Sequence, residues 1–159
     1  MTELTGAARR AAAFRRMREA HSTEMAEDYV ELIADLIAAN GEARLADLAE
    51  HVGVTSATVA KVVQRLQRLG LVQSRPYRSI FLTEQGQAVA DSSRQRHRVV
   101  QDFLCALGID ELTAEADAEG IEHHVSTDTL DALARLTDVL RNGDDPAVAN
   151  LLRHCRKAP

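Results

Sequence analysis

The chain has 159 residues, of which 45% are hydrophobic, 27% are charged and 3% are aromatic, a balance typical of a folded protein with a largely aliphatic core. No apolar run approaches the ~20 residues of a membrane-spanning helix, and the N-terminal sequence lacks the uninterrupted apolar core of a secretory signal, so we expect a cytoplasmic protein. The two cysteines follow no C-x-x-C spacing, which argues against a disulfide framework in that reducing compartment.

The net charge of -5 is distributed unevenly along the chain. Residues 44–78 hold six basic and two acidic residues, whereas residues 101–145 hold twelve acidic residues against two arginines. A basic front half suggests a polyanion as partner, and an acidic back half suggests a cation. Solvated faces that keep a protein soluble would produce the same charge blocks, so charge alone leaves both interpretations open.

A basic extension is predicted at the N-terminus, over residues 1–22. Its first 18 residues hold five arginines, between positions 9 and 18, against one glutamate. This cluster is compatible with a helix or arm that adds contacts to DNA phosphates. It is equally compatible with an unstructured leader.

The first strong helical pattern runs from Glu24 to Ala39. Asn40 and Gly41 end it, since both residue types tolerate the left-handed backbone of a helix terminus. Its apolar residues recur at helical spacing and so share one face of the helix. They are Met25, Tyr29, Leu32, Ile33, Leu36 and Ile37.

Two further helices and a hairpin follow. Residues 44–51 predict a short helix that Gly53 breaks, and Thr55 is a good N-cap for the next helix, TSATVAKVVQRLQRLG. Short strands are predicted at residues 71–72 and 80–82, around a basic turn. This order is typical of a winged helix-turn-helix domain, which we place at residues 23–86.

Helix-turn-helix packing also explains the spacing of three small or branched residues: Ala49 under the turn, Gly53 within it and Val59 at the helix crossing. In such domains the N-terminal end of the second helix enters the major groove, and the wing contacts the backbone. The alternative is that these side chains only cap and solvate the helix. The predicted DNA-binding residues are Thr55, Ser56, Thr58, Lys61 and Arg65 on the helix, with Arg75 and Arg78 on the wing.

The second half of the chain is predicted to be entirely helical. A long helix is expected from Ala88 to Leu107, followed by helices at 110–125 and 127–141. The predicted fold is therefore mainly α, with an N-terminal winged helix-turn-helix domain, an all-helical domain at 87–141 and a tail at 142–159.

One motif in the acidic half suggests a metal site. Glu119, Glu122 and His123 stand at i, i+3 and i+4, which places them on one face of a helix. Two carboxylates and an imidazole suit a hard or borderline divalent ion such as manganese or iron(II). By itself the E-x-x-E-H pattern is weak, because solvated acidic helix faces are common.

Four runs of the sequence together resemble the manganese transport regulators of the diphtheria toxin repressor family: residues 27–32, residues 53–61, Arg96-His97 and residues 117–124. The resemblance covers roughly residues 20–140 in order. It implies a homodimeric, metal-activated repressor that binds a palindromic operator and controls metal homeostasis genes, with residues 87–141 as its metal-binding and dimerisation domain. The implied metal site, for one or two manganese ions per subunit, uses Asp28, Glu31, His97, Glu119, Glu122 and His123.

Iron-responsive relatives in this family place a Met and a Cys where this chain has Asp28 and Glu119. Replacing soft sulfur by hard oxygen favours manganese over iron(II), although iron(II) remains the alternative ion. A winged-helix regulator that is not gated by metal is a second alternative. A metalloenzyme is disfavoured, because the sequence has no H-E-x-x-H motif and no residue singled out as a nucleophile or general base.

Overall fold

The computed structural model describes residues 6–74, 79–142 and 146–155, and for part of the first and last helices it describes the backbone alone. The chain divides into two compact units, Met1–Asp91 and Ser92–Pro159. Within the described residues, no helix is long and apolar enough to cross a membrane. The predicted fold class is confirmed, because the described part of the chain is mainly helical and contains a small two-stranded sheet. Its elements are α1 Gly6–Asn40, α2 Leu45–Val52, α3 Ser56–Arg68, β1 Val72–Ser74, β2 Ile80–Leu82, α4 Glu84–Ala106, α5 Glu111–Glu122, α6 Thr127–Asn142 and α7 Pro146–Cys155.

The first helix is longer than the sequence pattern predicts. α1 begins at Gly6 instead of Glu24 and runs for 35 residues without interruption. The added segment is rich in Ala and Arg, which have high helix propensity, and it contains no proline and no glycine after Gly6. The predicted start at Glu24 rests on apolar periodicity, and the added segment has none because it consists mainly of Ala and Arg.

The helix-turn-helix has the predicted turn. Gly53 adopts the left-handed conformation (φ 71°) at the end of α2, and the amide of Val54 donates to the carbonyl of Ala49 at 3.1 Å. The side chain of Thr55 caps α3 by accepting a hydrogen bond from the amide of Thr58. Val59 is fully buried at the crossing, as expected.

The wing is a two-stranded antiparallel hairpin in which Val72 pairs with Leu82 and Ser74 with Ile80. The loop between α1 and α2 extends it by one bridge, since the amide of Ile80 donates to the carbonyl of Ala43 at 2.8 Å. The hydroxyl of Ser79 donates to the carboxylate of Glu42 beside this bridge. The base of the hairpin is therefore attached to the helical part of the first unit.

The core of the first unit is built from α1, the two helix-turn-helix helices and the hairpin. Its fully buried side chains include Ile33, Leu48, Leu66 and Ile80. Leu69 is 46% exposed, because it lies at the C-cap, beyond the last turn of α3. Around these residues packs a larger aliphatic cluster, in keeping with the low aromatic content.

The α4 helix begins in the first unit and continues into the second. It starts earlier than predicted, at Glu84, because the side chain of Thr83 caps it by accepting from the amide of Gly86 at 3.0 Å. Gly86 is buried, and a Cβ atom at this position would lie 2.0 Å from the carbonyl oxygen of Leu71. The contact requires glycine, since no other residue fits that distance.

The second unit contains the rest of α4 with α5, α6 and α7. Asp110 caps α5 by accepting from the amide of Thr113 at 3.0 Å. Ser126 caps α6 in the same way, at 3.3 Å from the amide of Thr129. A small core forms around Val100, Ala118 and Leu130.

Candidate metal centre and nucleic-acid interface

The predicted motif lies at the C-terminal end of α5. The helix ends at Glu122, and His123 is its C-cap with right-handed helical dihedral angles (φ -72°, ψ -17°). The helical spacing therefore continues through His123 and keeps it near Glu119 and Glu122. His124, which follows, is exposed.

His97 of α4 meets this end of α5. Its Nδ1 lies 3.4 Å from Oε2 of Glu119 and 3.2 Å from Oε2 of Glu122. The Nε2 atom of His123 lies 3.6 Å from Oε1 of Glu122. The structure thus brings together four of the six predicted metal ligands, all within the second unit.

These four side chains differ sharply in exposure. Glu122 is 2% exposed, and the side chains of His123 and His97 are 5% and 16% exposed, whereas that of Glu119 is 68% exposed. The cluster is therefore a buried carboxylate between two imidazoles, with a second carboxylate on the solvent side. Such a gradient would allow an ion to enter from the side of Glu119.

Two residues that are not among the predicted ligands, Ser93 and Arg96, also contact these side chains. The guanidinium of Arg96 lies 3.4 Å from Nδ1 of His123, which leaves Nε2 as the nitrogen that faces Glu122. The hydroxyl of Ser93 donates to Oε1 of Glu122 at 3.1 Å. Ser93 stands one helical turn before His97, and this i, i+4 spacing is the signal that could have found it.

The chemistry of this donor set fits a divalent cation. Its members offer only carboxylate oxygen and imidazole nitrogen, a combination suited to hard and borderline ions. A carboxylate as deeply buried as Glu122 needs compensation by hydrogen bonds, by an opposite charge or by a metal. The residues present therefore fit the ion that the sequence predicts.

The other two predicted ligands, Asp28 and Glu31, lie in the first unit. They are one turn apart on α1, where Asp28 is exposed and Glu31 is half-buried. Their part in metal binding stays a prediction.

The predicted DNA-reading end of α3 is accessible. Thr55, Ser56, Thr58 and Lys61 are all exposed. Arg65 is half-buried, and its guanidinium donates to the carbonyl of Ser22 on α1 at 3.0 Å. Arg65 thus has a packing role in addition to its predicted DNA contact, while Arg75 and Arg78 lie outside the described residues.

Two family models match the chain. The one described as the iron dependent repressor, N-terminal DNA binding domain matches residues 21–80. The one described as the iron dependent repressor, metal binding and dimerisation domain matches residues 83–146. Between them they match most of the chain, with residues in both compact units.

Curated relatives are similar over most of the chain. The transcriptional regulator MntR of Salmonella typhimurium is 48% identical over 137 residues, which cover 86% of this chain and 87% of that protein. The MntR of Escherichia coli O6:H1 is 47% identical over 86% of this chain and 88% of that protein. The HTH-type transcriptional regulator MntR of Lysinibacillus sphaericus is 38% identical over 77% and 88%.

Solved structures show the same fold at lower identity. The manganese regulator SloR has a TM-score of 0.62 and 26% identity over 71% of this chain and 53% of that one. A manganese-dependent transcriptional repressor in complex with manganese has a TM-score of 0.62 and 28% identity over 70% and 52%. The chain therefore spans about half the length of these two solved proteins.

Proposed function

The chain belongs to the iron-dependent repressor family, and from this membership we propose that it is a manganese-responsive transcriptional repressor. As a homodimer it binds a palindromic operator when it holds metal, and it controls genes of metal-ion homeostasis in the cytoplasm. The chain is similar over most of its length to regulators named MntR. Its activity is DNA binding and not catalysis.

The observation that carries the metal response is the burial of Glu122 between His97 and His123. Removing a carboxylate from water without compensation costs on the order of several kcal/mol of desolvation free energy. When bound, a divalent ion supplies the positive charge that offsets the repulsion between the carboxylates. The oxygen and nitrogen donors favour manganese, with iron(II) as the alternative, because none of the four residues offers sulfur.

We assign metal binding to His97, Glu119, Glu122 and His123 of the second unit, with Asp28 and Glu31 of the first unit as further ligands for one or two ions. In this assignment Glu122 binds from the buried side and Glu119 from the exposed side. The response to metal then requires that these residues bind the ion more tightly in the DNA-binding conformation than in any other.

Operator binding is assigned to the exposed end of α3. In the major groove Thr55, Ser56 and Thr58 would contact base edges or phosphates, and Lys61 a phosphate. Arg65, with the wing residues Arg75 and Arg78, completes the proposed surface. Two copies of this surface in a homodimer match the two halves of a palindrome.

The test is a titration of a fluorescent operator with the full chain, with manganese and under chelation. Manganese should tighten operator binding, and Glu122→Gln should remove the response, because it keeps the shape of the side chain but not its charge. Asp117→Asn is the matched control, since Asp117 is an exposed acid on the same helix. Circular dichroism and gel filtration check that both variants fold and dimerise.

Equal operator affinity with and without manganese would contradict the proposal and favour a regulator that is not gated by metal. A response to iron(II) under anaerobic conditions, without a response to manganese, would favour the iron alternative. Loss of the dimer in Glu122→Gln would show that this carboxylate serves the fold instead.

A further inference from the structure

Ser93 lies beside the metal centre without being one of its predicted ligands. It is 1% exposed, so it is one of the few polar residues that are buried in the described part of the chain. It stands one helical turn before His97 on α4, which places both side chains on the same face of the helix. That face packs against the end of α5.

The hydroxyl of Ser93 fixes one oxygen of Glu122. An ionised carboxylate can only accept hydrogen bonds, so the hydroxyl is the donor in the 3.1 Å contact with Oε1. The other oxygen, Oε2, lies 3.2 Å from Nδ1 of His97. Holding Oε1 limits rotation of the carboxylate and keeps Oε2 directed at His97.

A hydroxyl is suited to this task because it carries no charge. A lysine or arginine at the same place would neutralise Glu122 and compete with a cation. Serine orients the carboxylate and offsets part of its desolvation while leaving its negative charge for the ion. Hydrogen-bond partners that orient metal ligands typically change metal affinity by about 10- to 100-fold when they are removed.

We propose that Ser93 is a positioning residue of the metal centre, which holds Glu122 in the orientation that binds the ion. This inference rests on the proposed function, since it requires that Glu122 is a ligand. A purely structural role makes a different prediction, because a buried hydrogen bond that serves only the fold would affect the metal-free and metal-bound protein equally.

The experiment compares Ser93→Ala with Ser92→Ala in the full chain. Ser92 is the adjacent residue on the same helix and is exposed, so the same substitution is made at a site that faces solvent. Calorimetric titration with manganese gives the dissociation constant. Ser93→Ala should raise it about tenfold or more, whereas Ser92→Ala should leave it unchanged and Ser93→Thr, which keeps the hydroxyl, should restore most of the affinity.

Thermal unfolding, measured with and without manganese, separates positioning from packing. The expected result is a smaller stabilisation by manganese in Ser93→Ala than in the wild type. A manganese affinity equal to that of the wild type would overturn the proposal, and so would an equal loss in Ser93→Ala and Ser93→Thr. If the wild-type chain itself bound no manganese, the proposed function would fail, and the role of Ser93 with it.

Discussion

Nδ1 of His97 lies 3.2 Å from Oε2 of Glu122, so an imidazole of α4 and a buried carboxylate of α5 meet inside the second unit. The two residues are far apart in the sequence, and their meeting converts a common acidic motif into a cluster of defined geometry. The motif on α5 alone could be a solvated helix face. With His97 beside it, the carboxylate of Glu122 is in a place where a cation is the natural partner.

Asp28 and Glu31 are predicted to contribute to manganese binding although they belong to the first unit. Asp28→Asn and Glu31→Gln should each weaken manganese binding by at least about tenfold, because each removes a charged oxygen donor. Calorimetric titration measures the effect. Asp35→Asn is the control, since Asp35 is an exposed acid on the same helix. Unchanged affinity in both variants would confine the site to residues of the second unit.

Lys61 and Arg65 should respond differently to alanine substitution, although both are predicted to contact DNA. Lys61 is exposed, so Lys61→Ala should weaken operator binding without changing the free energy of unfolding. The slope of log K for operator binding against log salt concentration should fall in magnitude by about 0.9 for each phosphate that is no longer neutralised. Arg65→Ala should also lower that free energy by about 1 kcal/mol, since it removes the hydrogen bond to Ser22. Urea unfolding and operator titrations at several salt concentrations check both. Equal stability of the two variants would contradict the packing role of Arg65.

The arginine cluster at residues 9–18 lies in the part of α1 that extends beyond the predicted helix. We expect replacement of its five arginines by glutamine to reduce the salt dependence of operator binding, since the slope falls by about 0.9 for each phosphate that loses its cationic partner. Replacement by lysine should preserve it, because lysine keeps the charge. If the glutamine variant kept the slope of the wild type, the segment would bind no phosphates.

Two glycines on helices predict opposite effects of an added methyl group. Gly86→Ala should destabilise the protein by about 2 kcal/mol or more, because the new Cβ would lie 2.0 Å from the carbonyl oxygen of Leu71. Gly120→Ala should stabilise it by up to about 1 kcal/mol, since nothing lies within 4 Å and alanine favours the helix. Unfolding in urea measures both changes. A stable Gly86→Ala variant would contradict the close approach of α4 to the backbone of Leu71.

Asp110 should make stability depend on pH in the acid range. Hydrogen bonds from the side chain and backbone of Thr113 hold the pKa of its carboxyl below the usual value. The ionised form is therefore favoured in the folded state, so its contribution is fully present above the unfolded pKa of about 3.9 and is lost as pH falls through the lower folded pKa. Asp110→Ser keeps a capping oxygen but should flatten this dependence in unfolding experiments between about pH 5 and about pH 2. Asp128→Ser, at the first turn of α6, is the control. An equal slope in wild type and Asp110→Ser would show that the ionised carboxylate of Asp110 contributes no pH-dependent stability.

Local sequence chemistry was sufficient for most of the fold. Gly53 and Thr55 mark the turn and the start of α3 through backbone conformation and capping, which depend on neighbouring residues alone. The length of α1 was not predicted, because apolar periodicity is absent from its N-terminal half, which forms a helix by propensity. The exposure of Leu69 does not follow from the sequence pattern, since burial at a helix end depends on what packs there.

The candidate site was predictable in part. Spacing on one helix identified Glu119, Glu122 and His123, and the family resemblance added His97. The i, i+4 spacing from His97 points to Ser93, but its contact with Glu122 and that of Arg96 with His123 depend on how α4 and α5 pack. The ligand roles of all six residues stay predictions until metal binding is measured.

The bridge between Ala43 and Ile80 holds the base of the hairpin, together with the neighbouring contact of Glu42 and Ser79. None of these four residues lies within residues 75–78. The sequence of residues 75–78 can therefore change over evolutionary time without altering the base of the wing or the core of the first unit. The fold of the first unit and the proposed phosphate contacts of the wing can therefore change independently. In the proposed function the wing contacts phosphates and α3 reads the bases, so changes at residues 75–78 would alter the strength of DNA binding more than the operator that is preferred.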